Sequence, residues 1–283
     1  MLPGPWTEAD FRYQSEHVVT QKLHNSGHNC VASQVLILPA DWDGSARMLR
    51  EIRQRIEVSE PRVAYYPGTD ERLSALQEAE PAAEVLGGDA GRLFVADVDP
   101  ATEHYGFGTE FFAPAMVTTS LPGEAGQFLQ RAVDFCNDKL YGTLSVNLIV
   151  HPKTRRQLGA DFDRAIAALR YGGIGINAWV GAAFLLPRAA WGAYPGHSYT
   201  DVQSGIGVVH NALMFDKPLK TVVSAPFHPF PRSIRHGENT LFPKPPWFLT
   251  NKTSESTARK LTEFAAAPSA TKLPALFSSA LRG

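Results

Sequence analysis

Two cysteines occur in 283 residues, Cys30 and Cys136, and their settings differ. Cys30 ends the polar stretch Asn25-Ser26-Gly27-His28-Asn29-Cys30, between a segment closing at Leu23 and the apolar run Val35-Leu36-Ile37-Leu38. A thiol in such a loop can meet solvent, and glycine lets backbone N–H groups approach a reacting carbonyl, so the chemistry on offer is addition of sulfur to a carbon electrophile. Cys136 recurs with Phe128, Leu129, Ala132 and Val133 at helical spacing, and an apolar helix face buries and quiets a thiol. An unperturbed thiol with a pKa near about 8.5 is only a few per cent thiolate at neutral pH, so Cys30 needs local activation. His28 could serve as a base, giving a Cys–His hydrolase, only if a ring nitrogen stands within roughly 3 Å of the sulfur, which adjacency in sequence does not supply.

Other chemistries find less support. The cysteines form no C-x-x-C or Cys/His ligand pattern, and His104, His197 and His210 have no mutual metal-ligand spacing, so no metal site is expected. No GxGxxG occurs, and Gly172-Gly173-Ile174-Gly175 reads as a strand entry rather than a phosphate cradle.

The elements that would position Cys30 follow from periodicity. A helix is expected over Thr7 to Leu23, started by Thr7 with Asp10 as a capping box and presenting Phe11, Val18, Val19 and Leu23 on one face. A strand follows at Gln34 to Leu38, then a helix over Asp43 to Ile56, a strand over Arg62 to Tyr66 ended by Pro67-Gly68, and a helix near Asp70 to Gln77. Further strands are expected at Leu93 to Ala96, Met116 to Thr119, Leu144 to Val150 and Ile174 to Asn177, with helices at Glu124 to Asn137 and Arg155 to Arg170. Strands alternating with helices predict an α/β fold with a mostly parallel sheet covered by helices. The prolines between Pro226 and Pro246 predict an extended arm, and a helical tail is expected near Ser254 to Phe264. The expected division is residues 1–225 and 226–283.

Twenty-seven basic and 28 acidic residues leave a net charge of -1 and no long run of one sign, which argues against a nucleic-acid track or a membrane-surface patch. The N-terminal residues lack a basic-then-apolar leader, so a cytoplasmic location is expected.

Several ordered motifs share one resemblance. Asn25-x-Gly27-His28-x-Cys30 resembles the N-x-G-Q-x-C nucleophile motif of the aldehyde dehydrogenase superfamily, with histidine in place of glutamine. Glu110-Phe111-Phe112-Ala113-Pro114 resembles its E-x-F-x-P signature, and Asn137 to Leu144 its N-x-x-x-Y-G-L region with Thr143 inserted. Gly175-Ile176-Asn177 and Ser204-Gly205-Ile206-Gly207 are similar to the later G-x-x-N and S-G-x-G segments, so the resemblance spans about residues 10 to 215. Ala64-Tyr65-Tyr66-Pro67-Gly68 and Trp191 to His197 lie outside the general signature and suggest a divergent bacterial-type branch.

The resemblance implies that Cys30 attacks an aldehyde through a thiohemiacetal and a thioester, with NAD or NADP as hydride acceptor. It implies that Glu110 binds the nicotinamide ribose, that Phe112 packs beside the nicotinamide, and that Asn25, Gly27 and His28 support the nucleophile loop. In that superfamily the general-base glutamate, the dinucleotide-binding domain and the side-chain amide of the oxyanion hole lie upstream of the cysteine motif, and nothing matching them precedes Cys30 here. The chain is therefore expected to be the C-terminal, catalytic-domain half of such an enzyme, largely inactive alone. Its expected partners are a small aldehyde and either a second copy or a separately encoded N-terminal half.

Overall fold

The computed structural model describes residues 1–283, apart from the side chain of Ala90. The chain forms two compact units, Met1–Ala225 and Pro226–Gly283. In the first unit the order is α1 (Glu8–Leu23), β1 (Val35–Pro39), α2 (Gly44–Val58), α3 (Thr69–Ala79), β2 (Glu84–Leu86), β3 (Arg92–Val98), the single turn α4 (Tyr105–Gly108), β4 (Ala115–Leu121) and α5 (Ala125–Asp138). It continues with β5 (Ser145–Leu148), α6 (Pro152–Leu158), α7 (Ala160–Ala168), β6 (Gly173–Ile176), the short α8 (Gly181–Phe184) and β7 (Thr221–Ser224).

Two sheets result, in strand orders β1-β4-β3-β2 and β5-β6-β7, and every pairing is parallel except the antiparallel edge β2–β3. Parallel strands covered on both faces read as near-continuous apolar runs, and Val35 to Leu38 and Ala115 to Val117 do so. The core gathers Val117, Val95 and Leu93 from the sheet with Phe128, Leu129 and Val133 from α5 and Phe162 from α7.

Helix α1 begins with the expected capping box: the Thr7 hydroxyl accepts from the Asp10 N–H, and the Asp10 carboxylate accepts from the Thr7 N–H at 2.8 Å. Beyond its apolar stripe it is buried on nearly every side, including Gln14, Thr20 and Lys22. The single helix expected over Arg155 to Arg170 is instead two, because Gly159 takes φ 50° and ψ -127°, a conformation in which α6 ends and α7 begins. No strand forms over Arg62 to Tyr66. The Arg62 carbonyl accepts from the Ser26 hydroxyl, so this segment's backbone serves the cysteine loop rather than a sheet ladder. Strands β2 and β7 were not evident from periodicity, being three and four residues long.

In the second unit one helical turn, α9 (Arg232–Arg235), interrupts the extended arm. Helix α10 (Ser254–Ala266) pairs with a further helix, α11 (Leu273–Ala280), whose buried Ser279 bonds to the hydroxyls of Ser256 and Thr257 at 2.7 and 2.9 Å. Among the described residues, no helix is long and apolar enough to cross a membrane.

Candidate nucleophile site

Helix α1 delivers the chain into a tight loop in which Asn25, Ser26 and Gly27 take φ values of 57°, 55° and 79°. Three successive left-handed residues are uncommon, and asparagine is among the side chains that tolerate that region best. The Asn25 Nδ2 donates to the His28 carbonyl at 2.9 Å while the His28 N–H donates to the Asn25 carbonyl at 3.0 Å, closing the turn from both sides. Gly27 is required for a second reason: a Cβ there would lie 2.4 Å from the Ala113 carbonyl oxygen. The first motif is thus seated on the backbone of the second.

Asn29 sets the next turn, its Oδ1 accepting from the Val31 N–H at 3.1 Å and its Nδ2 donating to the His24 carbonyl at 3.1 Å. Cys30 stands exposed within this Asx turn. Its own N–H has no acceptor in any other residue among those described, leaving a donor beside the sulfur. The loop is anchored to the β5–β7 layer through Trp179, whose indole N–H donates to the Val31 carbonyl at 2.9 Å.

The second loop, Glu110 to Pro114, leads from α4 into β4 and is held from two directions. Gln34, just ahead of β1, accepts from the Phe111 N–H at 2.7 Å and donates to the Thr109 carbonyl, bracketing Glu110. On the other side, Arg72 of α3 donates through Nε to the Phe111 carbonyl at 2.6 Å. Phe112 has φ 43°, and its ring packs edge-on against Tyr66 with centroids 4.7 Å apart. Glu110 is exposed. Cys30 and Glu110 both line one cleft of about 420 Å³.

The electrostatics assign different roles to neighbouring groups. Partial burial raises the Cys30 thiol above its ordinary pKa, and the Glu110 carboxylate adds to the rise, while the residue's own backbone N–H opposes it. The resting site therefore holds a thiol, not a thiolate. His28 is held below its ordinary pKa, first by burial and then by Arg72 and Lys22. Since the Thr69 hydroxyl donates to the Tyr66 carbonyl at 2.6 Å, it accepts from His28 Nε2 at 3.1 Å, which fixes the tautomer and leaves Nδ1 buried without a partner. No hydrogen bond joins His28 to Cys30 among the described residues, so the arrangement does not favour a Cys–His dyad. Lys22, 2% exposed, is pushed down to about 7 by burial, with the Glu110 carboxylate pulling it back up.

Of the residues singled out in the sequence, Asn25, Gly27, His28 and Cys30 share one loop, and Glu110 and Phe112 share the loop that Gly27 rests on. Gln34, Thr69, Arg72 and Lys22 were not singled out. Tyr65, which accepts from Asn25 Nδ2 at 3.0 Å, was read only as part of an expected strand and of a stretch outside the general signature. These residues carry no spacing signal relative to Cys30; most act across the fold, Arg72 reaching Phe111 over 39 residues.

The sequence matches no protein-family model and no curated protein sequence. Solved structures do resemble its fold. The indole-3-acetaldehyde dehydrogenase of P. syringae, in complex with NAD+ and IAA, aligns over 74% of this chain and 41% of its own with a TM-score of 0.56 at 16% identity. For the gamma-glutamyl-gamma-aminobutyraldehyde dehydrogenase of Burkholderia cenocepacia J2315 the figures are 71%, 40%, 0.54 and 15%. For the NAD-dependent aldehyde dehydrogenase of Sinorhizobium meliloti they are 68%, 40%, 0.52 and 17%. This chain thus spans about two fifths of the length of the structures it matches. Its α/β architecture is that of a partial aldehyde dehydrogenase-like domain.

Proposed function

We propose that this chain carries the nucleophile loop of an NAD(P)-dependent aldehyde-oxidising site, with Cys30 as the residue that bonds to substrate. The observation that carries the reading is the seating of Gly27 on the Ala113 carbonyl, which packs the cysteine loop against the Glu110 loop while Cys30 and Glu110 open on one cleft. In the first step the Cys30 sulfur bonds to the aldehyde carbon as the carbonyl π bond breaks, and the thiol proton ends on the former carbonyl oxygen. The Cys30 N–H stabilises negative charge developing on that oxygen. NAD or NADP supplies the hydride acceptor when bound. Glu110 fits the ribose hydroxyls, as an exposed carboxylate able to accept two hydrogen bonds, and Phe112 offers a ring held in place by Tyr66.

The Cys30 thiol is raised above its ordinary pKa and His28 Nε2 is engaged by Thr69, so among the described residues no hydrogen-bonded base activates the thiol. Lack of a general base typically costs about 10²- to 10⁴-fold in rate. We therefore propose that the 283-residue chain alone is largely inactive and that the residues completing the site come from elsewhere, as in a partner-dependent half. The test follows NAD(P)H absorbance with the pure chain and a panel of aliphatic and aromatic aldehydes. Little or no turnover is expected; robust turnover abolished by Cys30→Ala would overturn the dependence on a partner, and robust turnover surviving that change would overturn the role of Cys30.

A further inference from the structure

The loop that carries Cys30 also carries two imidazoles, and their settings differ. His28 is buried and tied to Thr69, whereas His24, the residue after α1, is half-buried, and its ring lies 5.2 Å from the indole of Trp179, tilted by 57°. Trp179 is itself fixed to the loop, because its N–H donates to the Val31 carbonyl at 2.9 Å. The His24 carbonyl in turn accepts from Asn29 Nδ2 at 3.1 Å. His24 is thus tied to the residues immediately before and after Cys30, through its backbone on one side and its ring on the other. Neither ring nitrogen of His24 has a hydrogen-bond partner among the described residues.

Arg62 is brought to the same loop from a distant part of the chain. The Ser26 hydroxyl donates to the carbonyls of Arg62 and Val63 at 3.3 and 3.4 Å, which places the Arg62 backbone two residues from His24. Arg62 is exposed, and its guanidinium has neither a carboxylate nor a carbonyl partner among the described residues. Its charge is felt at the imidazole: His24 is held below its ordinary pKa first by partial burial and then by Arg62. Arg72 and Lys22 act in the same sense on His28, after burial. No carboxylate contributes at either imidazole, and Glu110 acts instead on Cys30 and Lys22. The His24 side of the nucleophile loop therefore combines positive potential with unengaged donors, a setting that attracts an anion.

We infer that Arg62 and the His24 imidazole form an anion subsite beside Cys30, which takes the carboxylate of an aldehyde whose carbonyl meets the sulfur. The guanidinium supplies a charged, two-pronged donor whose planar fork matches a carboxylate, and the neutral imidazole supplies one N–H. Trp179 holds the His24 ring without competing for its nitrogens, since the indole N–H is committed to Val31. An uncharged chain would leave the guanidinium unanswered, and a cation would be repelled by it. The subsite needs no thiol chemistry; only the step from anion to carboxylated aldehyde rests on the reaction proposed at Cys30.

Two probes test this. Glutarate, a carboxylate without an aldehyde, is titrated into the full chain and into Cys30→Ser while the His24 ring and Arg62 side-chain resonances are followed by NMR. Saturable shifts of both residues, equal in the two proteins, are expected. Affinity should fall at least about tenfold in Arg62→Gln, and neutral glutaramide should produce no saturable shift. The second probe is 5-oxopentanoate labelled at its aldehyde carbon. Its tetrahedral adduct should form at concentrations at least about tenfold lower than that of its methyl ester, a preference that Arg62→Gln abolishes. Glutarate that leaves His24 and Arg62 unmoved, equal shifts with glutaramide, or an affinity unchanged in Arg62→Gln would each overturn the subsite. Tighter binding of inorganic phosphate at the same resonances would assign it to a phosphoryl group and overturn the carboxylate. Adducts formed without preference would overturn the substrate class. No adduct with either aldehyde, alongside intact glutarate binding, would overturn the reaction at Cys30 and uphold the subsite.

Discussion

The cysteine loop and the cleft between the sheets meet at Cys30, yet their backbones are in opposite states. Around the loop nearly every polar group is spoken for: Asn25 closes its own turn, Thr69 holds His28, and Gln34 and Arg72 grip the Glu110 loop. A few residues away, Val35, Ser145 and Asn147 line the cleft with backbone donors and acceptors that pair with no neighbouring strand among the described residues. The contrast separates two kinds of preparation. The loop holds the sulfur and its neighbouring N–H in place through its own bonds, whereas the facing edges of β1 and β5 carry open backbone groups. A backbone group that pairs with no neighbouring strand is the more open to exchange, so protection should be weakest along these edges.

The largest expected contrast is in amide exchange of the chain alone. Leu36, Leu38, Val146 and Leu148, which point to neighbouring strands, should exchange at least about a hundredfold more slowly than Val35, Ile37, Ser145 and Asn147. Uniform protection along β1 and β5 would erase the distinction. Breaking the loop instead, Gly27→Ala forces a Cβ into the Ala113 carbonyl and strains a left-handed position, and should lower stability by about 2–4 kcal/mol in urea denaturation. An unchanged denaturation midpoint would mean the two motifs are not packed as described.

Lys22 tests the buried floor of the loop. Its folded-state pKa of about 7 lies below the ordinary 10.5, so between those values the unfolded chain binds more protons and stability rises with pH. The burial penalty is complete below about 7 and fades toward 10.5. Lys22→Met should therefore stabilise the chain by up to a few kcal/mol at mildly acidic pH, with the gain shrinking as pH rises. A gain independent of pH would place the ammonium in solvent. The smallest effect concerns the sulfur. Because the thiolate is the nucleophile, alkylation of Cys30 by iodoacetamide should rise with pH to a midpoint above that of an ordinary thiol, and Glu110→Gln, removing a carboxylate that opposes ionisation, should speed it several-fold at neutral pH. Cys136, pushed up to about 12 by burial, should not compete.

Much of this was legible in the sequence where the signal is local. The capping box of α1, the amphipathic face of α5 and the apolar runs of β1 and β4 each depend on residues within a turn or a strand of one another. Two motifs in the right order pointed to Cys30 and Glu110. What remained hidden depends on contacts between distant segments: Arg62 to Tyr66 has strand-forming residues but its carbonyls serve Ser26, and Gln34 looks like an ordinary strand entry until its amide is found bracketing Glu110. The division of the strands into two sheets was also unreadable, since β1 and β5 have equally strand-like patterns and only their placement assigns them to different sheets.

The role of Cys30 as the atom that meets the aldehyde is tested most directly by adding an aldehyde labelled at its carbonyl carbon to the pure chain and following that carbon by NMR. A new tetrahedral-carbon signal that titrates with protein, vanishes in Cys30→Ser and persists in Cys136→Ser is the predicted result. No such signal at saturating aldehyde, or one that follows Cys136, would contradict the account.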